Sequence, residues 1–219
     1  MVSFEDIKHD PSIHAYIKKA DDTLGFQGFT EHGFAHVTTV SKMVEYILKT
    51  MKVPAHEIEL AKIAAYMHDI GNLINRQEHS QSGAIMAFRI LLSKGMNPED
   101  VATVVSAIGN HDEGTGVPVD NVAAALILAD KSDVRRSRVR NRDVTTFDIH
   151  DRVNYSVTES SLSIDDRREN ITLNLKIDTE IGSVMDYFEI FLERMILCRK
   201  AAETLGLRFR LRINGQSLI

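Results

Sequence analysis

Apolar positions recur with a helical period from about Ser12 to Arg136, and with a period of two after about Thr145. In the first stretch Val40, Met43, Val44, Ile47 and Met51 form one stripe, and Ile58, Ala61, Ala65 and His68 form a second. Ile85, Met86, Phe88, Ile90 and Leu91 mark a further helix that Gly95 stops. Asn97 and Pro98 open the next helix as cap and first-turn residue. Val122 to Ala129 is apolar all round, which is the pattern of a buried helix. In the second stretch Val153, Tyr155 and Val157 alternate with polar residues, as do Ile171, Leu173, Leu175 and Ile177, and this predicts two antiparallel strands. An amphipathic helix follows, with Ile181, Val184, Met185, Phe188, Phe191, Leu192 and Met195 on one face and Gly206 as its stop. Leu207, Phe209, Leu211 and Ile213 then alternate with Arg208, Arg210 and Arg212 and read as an edge strand with a charged wet face. The expected fold class is mainly α: a helical bundle over residues 1–147, then a small β-β-α-β part over residues 148–219 packed on the bundle.

At 219 residues the chain is long enough for one substantial core. A net charge of -5 argues against a general nucleic-acid coat protein. The single cysteine, Cys198, cannot form an internal disulfide, which suits a reducing compartment. The sequence offers no signal peptide and no apolar run of membrane-spanning length, so a cytoplasmic location without membrane attachment is expected. A homodimer is compatible with all of this.

The doublet His68-Asp69 carries the first chemistry. It closes the apolar run Ala61 to Met67, and Gly71 follows as a stop signal. Buried imidazole and carboxylate are costly unless paired, and a metal ion satisfies both. Four further ligand-type residues stand at helix ends or on apolar faces: His36, His79 with the small Gly83 four residues on, His111, and Asp130 at the end of the all-apolar helix. Taken singly each has an ordinary reading, as a water-facing histidine or, for Asp130, as the partner of Lys131. Taken together they stand where the helices of a bundle converge, and bundle cores hold metal sites built in this way.

The stretches Glu31 to His36, Tyr66 to Gly71 and Leu128 to Asp133 resemble the HD-domain metal-dependent phosphohydrolase superfamily. His79 and His111 fall where its two-metal branch carries additional histidines, and the chain is similar to an uncharacterised bacterial group of HD hydrolases. The resemblance covers roughly residues 30 to 136. It implies an HD-type helical bundle and two divalent ions, Fe, Mn, Zn or Co. Asp69 would bridge them, His36, His68 and Asp130 would complete one shell, and His79 and His111 the other. It also implies attack on phosphorus by a metal-bridging hydroxide. The Gly-Tyr-Pro motif of the cyclic-di-GMP branch is missing, since Asp112-Glu113-Gly114-Thr115-Gly116-Val117-Pro118 follows His111. That argues against cyclic-di-GMP as substrate.

Substrate-side candidates follow from position. Arg135, Arg136, Arg138, Arg140 and Arg142 come soon after Asp130, and Lys131 stands beside it. Lys131, Arg135 and Arg136 are the expected phosphate contacts; the competing reading has them tie the bundle to the C-terminal part by ion pairs. His32, four residues before His36, is a candidate proton donor, as are Asp112 and Glu113. The expected function is hydrolysis of a nucleotide or other small phosphate ester, with Asp69, His32 and Lys131 as catalytic candidates. Two alternatives stay open: a regulatory module that binds a nucleotide or partner without turnover, and a di-iron oxygenase.

Overall fold

The computed structural model describes residues 2–219. A short helix α1 (Phe4–Lys8) precedes α2 (Pro11–Phe26), which starts where the Asp10 carboxylate accepts from the amides of Ser12 and Ile13 and Pro11 fills the first turn. Then come α3 (Phe34–Thr50), α4 (Ala55–Met67), a tight turn at Ile70–Leu73, α5 (His79–Ser93), α6 (Pro98–Gly109) and α7 (Asn121–Ser132). Of the stripe expected on α3, Val40, Val44 and Ile47 are buried and Met43 and Met51 half-buried, with Val37 and Leu48 also buried; on α4 Ile58, Ala61 and Ala65 are buried as expected, with Ile63 and Ala64 beside them. The all-apolar α7 is buried along its whole length, capped by Asp120, and packs against α3, α4, α6 and α9. It is the axis around which the bundle is laid.

The C-terminal part comprises α8 (Ile149–Ser156), β1 (Val157–Ile164), β2 (Asn170–Ile177), α9 (Val184–Thr204), β3 (Arg208–Ile213) and β4 (Gln216–Ser217). The sheet order is β1-β2-β3-β4. β1 and β2 pair antiparallel, with Leu162 opposite Leu173, while β2 and β3 pair parallel, with Leu173 opposite Leu211, so α9 is the crossover between them. Leu162, Leu173, Leu175, Phe209, Leu211 and Ile213 form the covered face, and the buried core is continuous with that of the bundle.

Two expectations need correction. Val153 and Tyr155 belong to α8, and the first strand begins at Val157. The Asp148 carboxylate accepts from the amide of Asp151 and nucleates a helical turn there, and an apolar alternation this short does not distinguish strand from helix. The arginine-striped β3 lies inside the sheet, because the two residues of β4 pair with its end. Arg208, Arg210 and Arg212 are exposed as expected.

Candidate metal centre

Six side chains from five elements meet at the buried end of the bundle. His36 comes from the first turn of α3, His68 and Asp69 from the end of α4, His79 from the start of α5, His111 from the loop after α6, and Asp130 from the last turn of α7. All six are buried. Nε2 of His36 lies 3.3 Å from Nε2 of His68 and 3.2 Å from Oδ1 of Asp130. Nε2 of His79 lies 3.2 Å from Nε2 of His111. Asp69 stands between the two groups: Oδ2 is 3.1 Å from His68 and 3.6 Å from His36, and Oδ1 is 3.5 Å from His79.

Each imidazole is held by its other nitrogen. Nδ1 donates to the Asp133 carboxylate in His36 (2.7 Å), and to the backbone carbonyls of Ala65 in His68 (2.8 Å), Arg76 in His79 (3.1 Å) and Ile108 in His111 (2.6 Å). A carboxylate or carbonyl oxygen only accepts, so Nδ1 carries the proton and Nε2 points inward as the coordinating atom. Asn72 donates to Oδ1 of Asp69 at 3.0 Å, while buried Oδ2 of Asp69 has no hydrogen-bond partner. Four imidazole nitrogens and two carboxylates around an unsatisfied oxygen are the donor set of borderline divalent metals, so the residues fit such ions. His36, His68 and Asp130 converge as one candidate group, and His68, Asp69 and His111 as another.

Local backbone features make this convergence. Gly71 lets the turn after α4 lie directly on α5, since a Cβ there would meet the His79 carbonyl at 1.9 Å. Gly83 continues the close approach, since a Cβ there would lie 3.2 Å from the Gly71 amide nitrogen and the His68 carbonyl oxygen. Glu78 adopts a left-handed conformation (φ 56°) just before His79 and turns the chain into α5.

Burial and neighbouring charges set the ionisation of these groups. Burial alone would lower the pKa of His68, but the Asp69 and Asp130 carboxylates outweigh it and hold the imidazole up at about 10. Burial works against the charge of Asp69 and Asp130 too. His68 and neighbouring histidines hold Asp69 well below the usual carboxylate range, and Lys131, His36 and His68 do so for Asp130. Burial keeps His79 and His111 neutral, which is the coordinating form.

The substrate-side candidates are distributed differently. Lys131 is buried and pairs with Oδ2 of Asp130 at 2.8 Å and Oε2 of Glu113 at 2.6 Å. Glu113 also takes Arg194 of α9 at 3.1 Å, and these two cations hold it ionised despite burial. Arg135 bonds Asp133 at 2.7 Å and so supports His36 indirectly. Arg136 is not brought to the cluster: it stacks on Tyr155, donates to the Tyr155 carbonyl and faces Asp178. His32 lies 5.5 Å ring to ring from His36. Its Nδ1 donates to the Thr30 carbonyl at 2.7 Å, and burial and Arg138 hold it neutral. This tautomer leaves Nε2 able to accept a proton rather than donate one.

Asp133, Asn72, Arg76 and Arg194 were not singled out from the sequence. Asp133 follows Asp130 by one helical turn and Arg76 precedes His79 by three residues, so spacing carried a trace of both. Arg194 reaches the site only through the tertiary packing of α9 on α7.

The HD domain family model matches residues 33–152, more than half of the chain, and the match spans all six clustered residues. The chain belongs to the HD domain family. An uncharacterised protein of Methanocaldococcus jannaschii is 23% identical, the similarity covering 85% of this chain and 79% of that protein. A crystal structure titled a predicted HD superfamily hydrolase, from an uncultured Thermotogales bacterium, is 25% identical with a TM-score of 0.46, covering 58% of this chain and 69% of that one. Arg194 and His32 lie outside the matched HD segment, and both line the cavity beside the candidate metal centre.

Proposed function

We propose that the protein is a metal-dependent phosphohydrolase of a nucleotide or other small phosphate ester. The observation that carries the reading is the convergence of four Nδ1-tethered imidazoles and two carboxylates beside a cavity lined by arginines. His36, His68 and Asp130 would hold one divalent ion, His79 and His111 a second, and the two oxygens of Asp69, directed at different histidines, would serve both. When bound, such ions lower the pKa of water and stabilise charge on phosphoryl oxygens. The protein groups supply the rest. Asp133 fixes the tautomer of His36, Lys131 balances Asp130 and Glu113, and the arginine-lined cavity orients the ester. Overall, water oxygen bonds to phosphorus, the phosphorus–oxygen ester bond breaks, and the alcohol leaves with a proton. Membrane attachment plays no part in this reading, and the chain's net charge of -5 makes nucleic acid a poor partner. Among the described residues no helix is long and apolar enough to cross a membrane.

The test is phosphate release from a panel of nucleotides and phosphate esters with Mn, Fe, Co, Zn and Mg in turn, alongside oxygen uptake. Phosphate release without oxygen uptake is expected, and Asp69→Ala should abolish it while the protein stays folded. Normal phosphate release by a folded Asp69→Ala protein excludes the proposed role of Asp69. Oxygen uptake without phosphate release would point to the oxygenase alternative.

A further inference from the structure

One cavity of about 290 Å³ lies beside the metal centre, at the bottom of the roughly 300–1,000 Å³ range of small-molecule sites. Both parts of the chain wall it. Arg76 and Arg138 come from the bundle part, and Asp148, which caps α8, Asp151 of α8, and Phe191 and Arg194 of α9 from the C-terminal part.

The three guanidiniums differ. Arg194 is held by Glu113 at 3.1 Å. Arg138 donates from Nε to the Glu31 carbonyl at 2.8 Å and from Nη1 to the Asp133 carbonyl at 2.7 Å, and lies 3.8 Å from the Asp133 carboxylate. Arg76 has no carboxylate partner among the described residues; its polar contacts are Oδ1 of Asn72 and Nε2 of His79, each at a long 3.4 Å, and its guanidinium stands over the Phe29 ring at 5.7 Å. A half-buried guanidinium with only weak contacts, touching a candidate metal ligand, is completed by an anion that reaches the metal centre as well. A phosphoryl group has the oxygens to do both.

The C-terminal part also offers acceptors to the cavity. One oxygen of Asp148 caps α8, and Oδ2 of Asp151 accepts from Asn141 at 3.2 Å, which leaves further carboxylate lone pairs on that part of the wall. Such a wall favours a ligand bearing hydroxyl donors.

We propose that this cavity binds a phosphate monoester of a hydroxyl-bearing sugar, with Arg76 on the phosphate and the Asp148–Asp151 wall accepting from the sugar hydroxyls. The proposal rests on the phosphohydrolase reading for its placement of the phosphate, and it names the alcohol half of the substrate. A free sugar phosphate and a nucleoside monophosphate share this chemistry.

The test reads binding rather than turnover. Phosphonates carry a carbon–phosphorus bond that hydrolysis does not cleave, so absence of enzymatic activity leaves the result intact. Calorimetry on the full-length, manganese-loaded protein compares methylphosphonate with the phosphonate analogues of ribose 5-phosphate and uridine monophosphate. Both sugar phosphonates are expected to bind about ten-fold or more tightly than methylphosphonate, and the tighter of the two identifies the source. Arg76→Gln should weaken all three by about ten-fold or more, with Arg76→Lys intermediate. Asp151→Asn should weaken only the sugar phosphonates. Equal affinity for all three ligands in the wild type overturns the hydroxyl-reading wall. An Arg76→Gln loss that tracks metal content and vanishes at saturating manganese overturns the phosphate contact, since Arg76 would then only support His79. Unchanged affinity in Arg76→Gln overturns it equally.

Discussion

Substituting Gly71 by alanine tests how the fold delivers His79 to the centre. The glycine is not in a left-handed conformation, so the effect is one of space. The new methyl would stand 1.9 Å from the His79 carbonyl oxygen, 2.5 Å from the Gly83 amide nitrogen and 2.6 Å from the Ser82 hydroxyl. The hydroxyl can rotate away, but the two backbone atoms cannot. Reaching even the 3.0 Å limit of real contacts requires the first turn of α5 to retreat by at least 1.1 Å. The imidazole of His79 rides on that turn, now 3.5 Å from Asp69 and 3.2 Å from His111. Metal ligands hold their distances to within about 0.2 Å, so a shift of this size removes His79 from a shared ion.

Overpacking of this kind costs about 1–3 kcal/mol, and in a chain of this length each kcal/mol lowers Tm by about 2–4 °C. Gly71→Ala is therefore expected to fold, to melt roughly 2–12 °C lower without metal, and to retain less metal after equal loading and dialysis. Gly83→Ala is the graded control, because its methyl would meet its nearest neighbours at 3.2 Å and needs only a few tenths of an ångström. Melting curves and elemental analysis on the same samples read both effects. A Gly71→Ala protein with wild-type Tm and wild-type metal content would refute the argument that this close approach sets the position of His79.

Two further outcomes are expected. Lys131→Ala removes the shared partner of Asp130 and Glu113; breaking a buried pair costs about 3–5 kcal/mol, so the metal-free Tm should fall while the Michaelis constant of the folded enzyme stays within about two-fold. A raised Michaelis constant at unchanged Tm would instead favour Lys131 as a phosphate contact. In the metal-free protein the pKa of His68 is raised from 6.5 to about 10; its contribution is complete below about pH 6.5 and is lost as pH rises towards 10. Metal-free Tm should therefore fall across that window, and the stabilisation by added metal should grow; a Tm that rises from pH 6.5 to 9 contradicts this.

What the sequence revealed follows from which signals are local. The buried α7 was legible because every position from Val122 to Ala129 is apolar, a pattern no exposed helix keeps. The six clustered residues were legible because each polar side chain interrupts an apolar face or ends a buried helix, where burial demands a partner. The start of the sheet was misread because Val153 and Tyr155 mimic a strand within an eight-residue helix whose cap, Asp148, is a common loop residue. Lys131 and Arg136 stood close in sequence to Asp130, yet one is consumed by pairing and the other turns to Tyr155 and Asp178. Proximity along the chain fixes neither direction nor partner. Arg76 is the converse case: an unremarked arginine whose setting beside His79 exists only once α5 is packed.

The charges around the centre explain why the C-terminal part matters to it. Asp133 is balanced by Arg135 and, more distantly, by Arg138 at 3.8 Å. Asp130 and Glu113 share Lys131, and Glu113 is completed by Arg194. Asp69 alone among these carboxylates has no lysine or arginine partner among the described residues, and its buried Oδ2 has no hydrogen-bond partner there. The lysine and arginines thus pair with the other carboxylates and leave Asp69 to the histidines it faces, His68 foremost. Arg194 belongs to α9, beyond the matched HD segment, so the balance of Glu113, and through Lys131 that of Asp130, depends on the C-terminal part. That part supplies a counter-charge for the metal centre and one wall of the adjoining cavity, and the centre is therefore a property of the whole chain rather than of the HD helices alone.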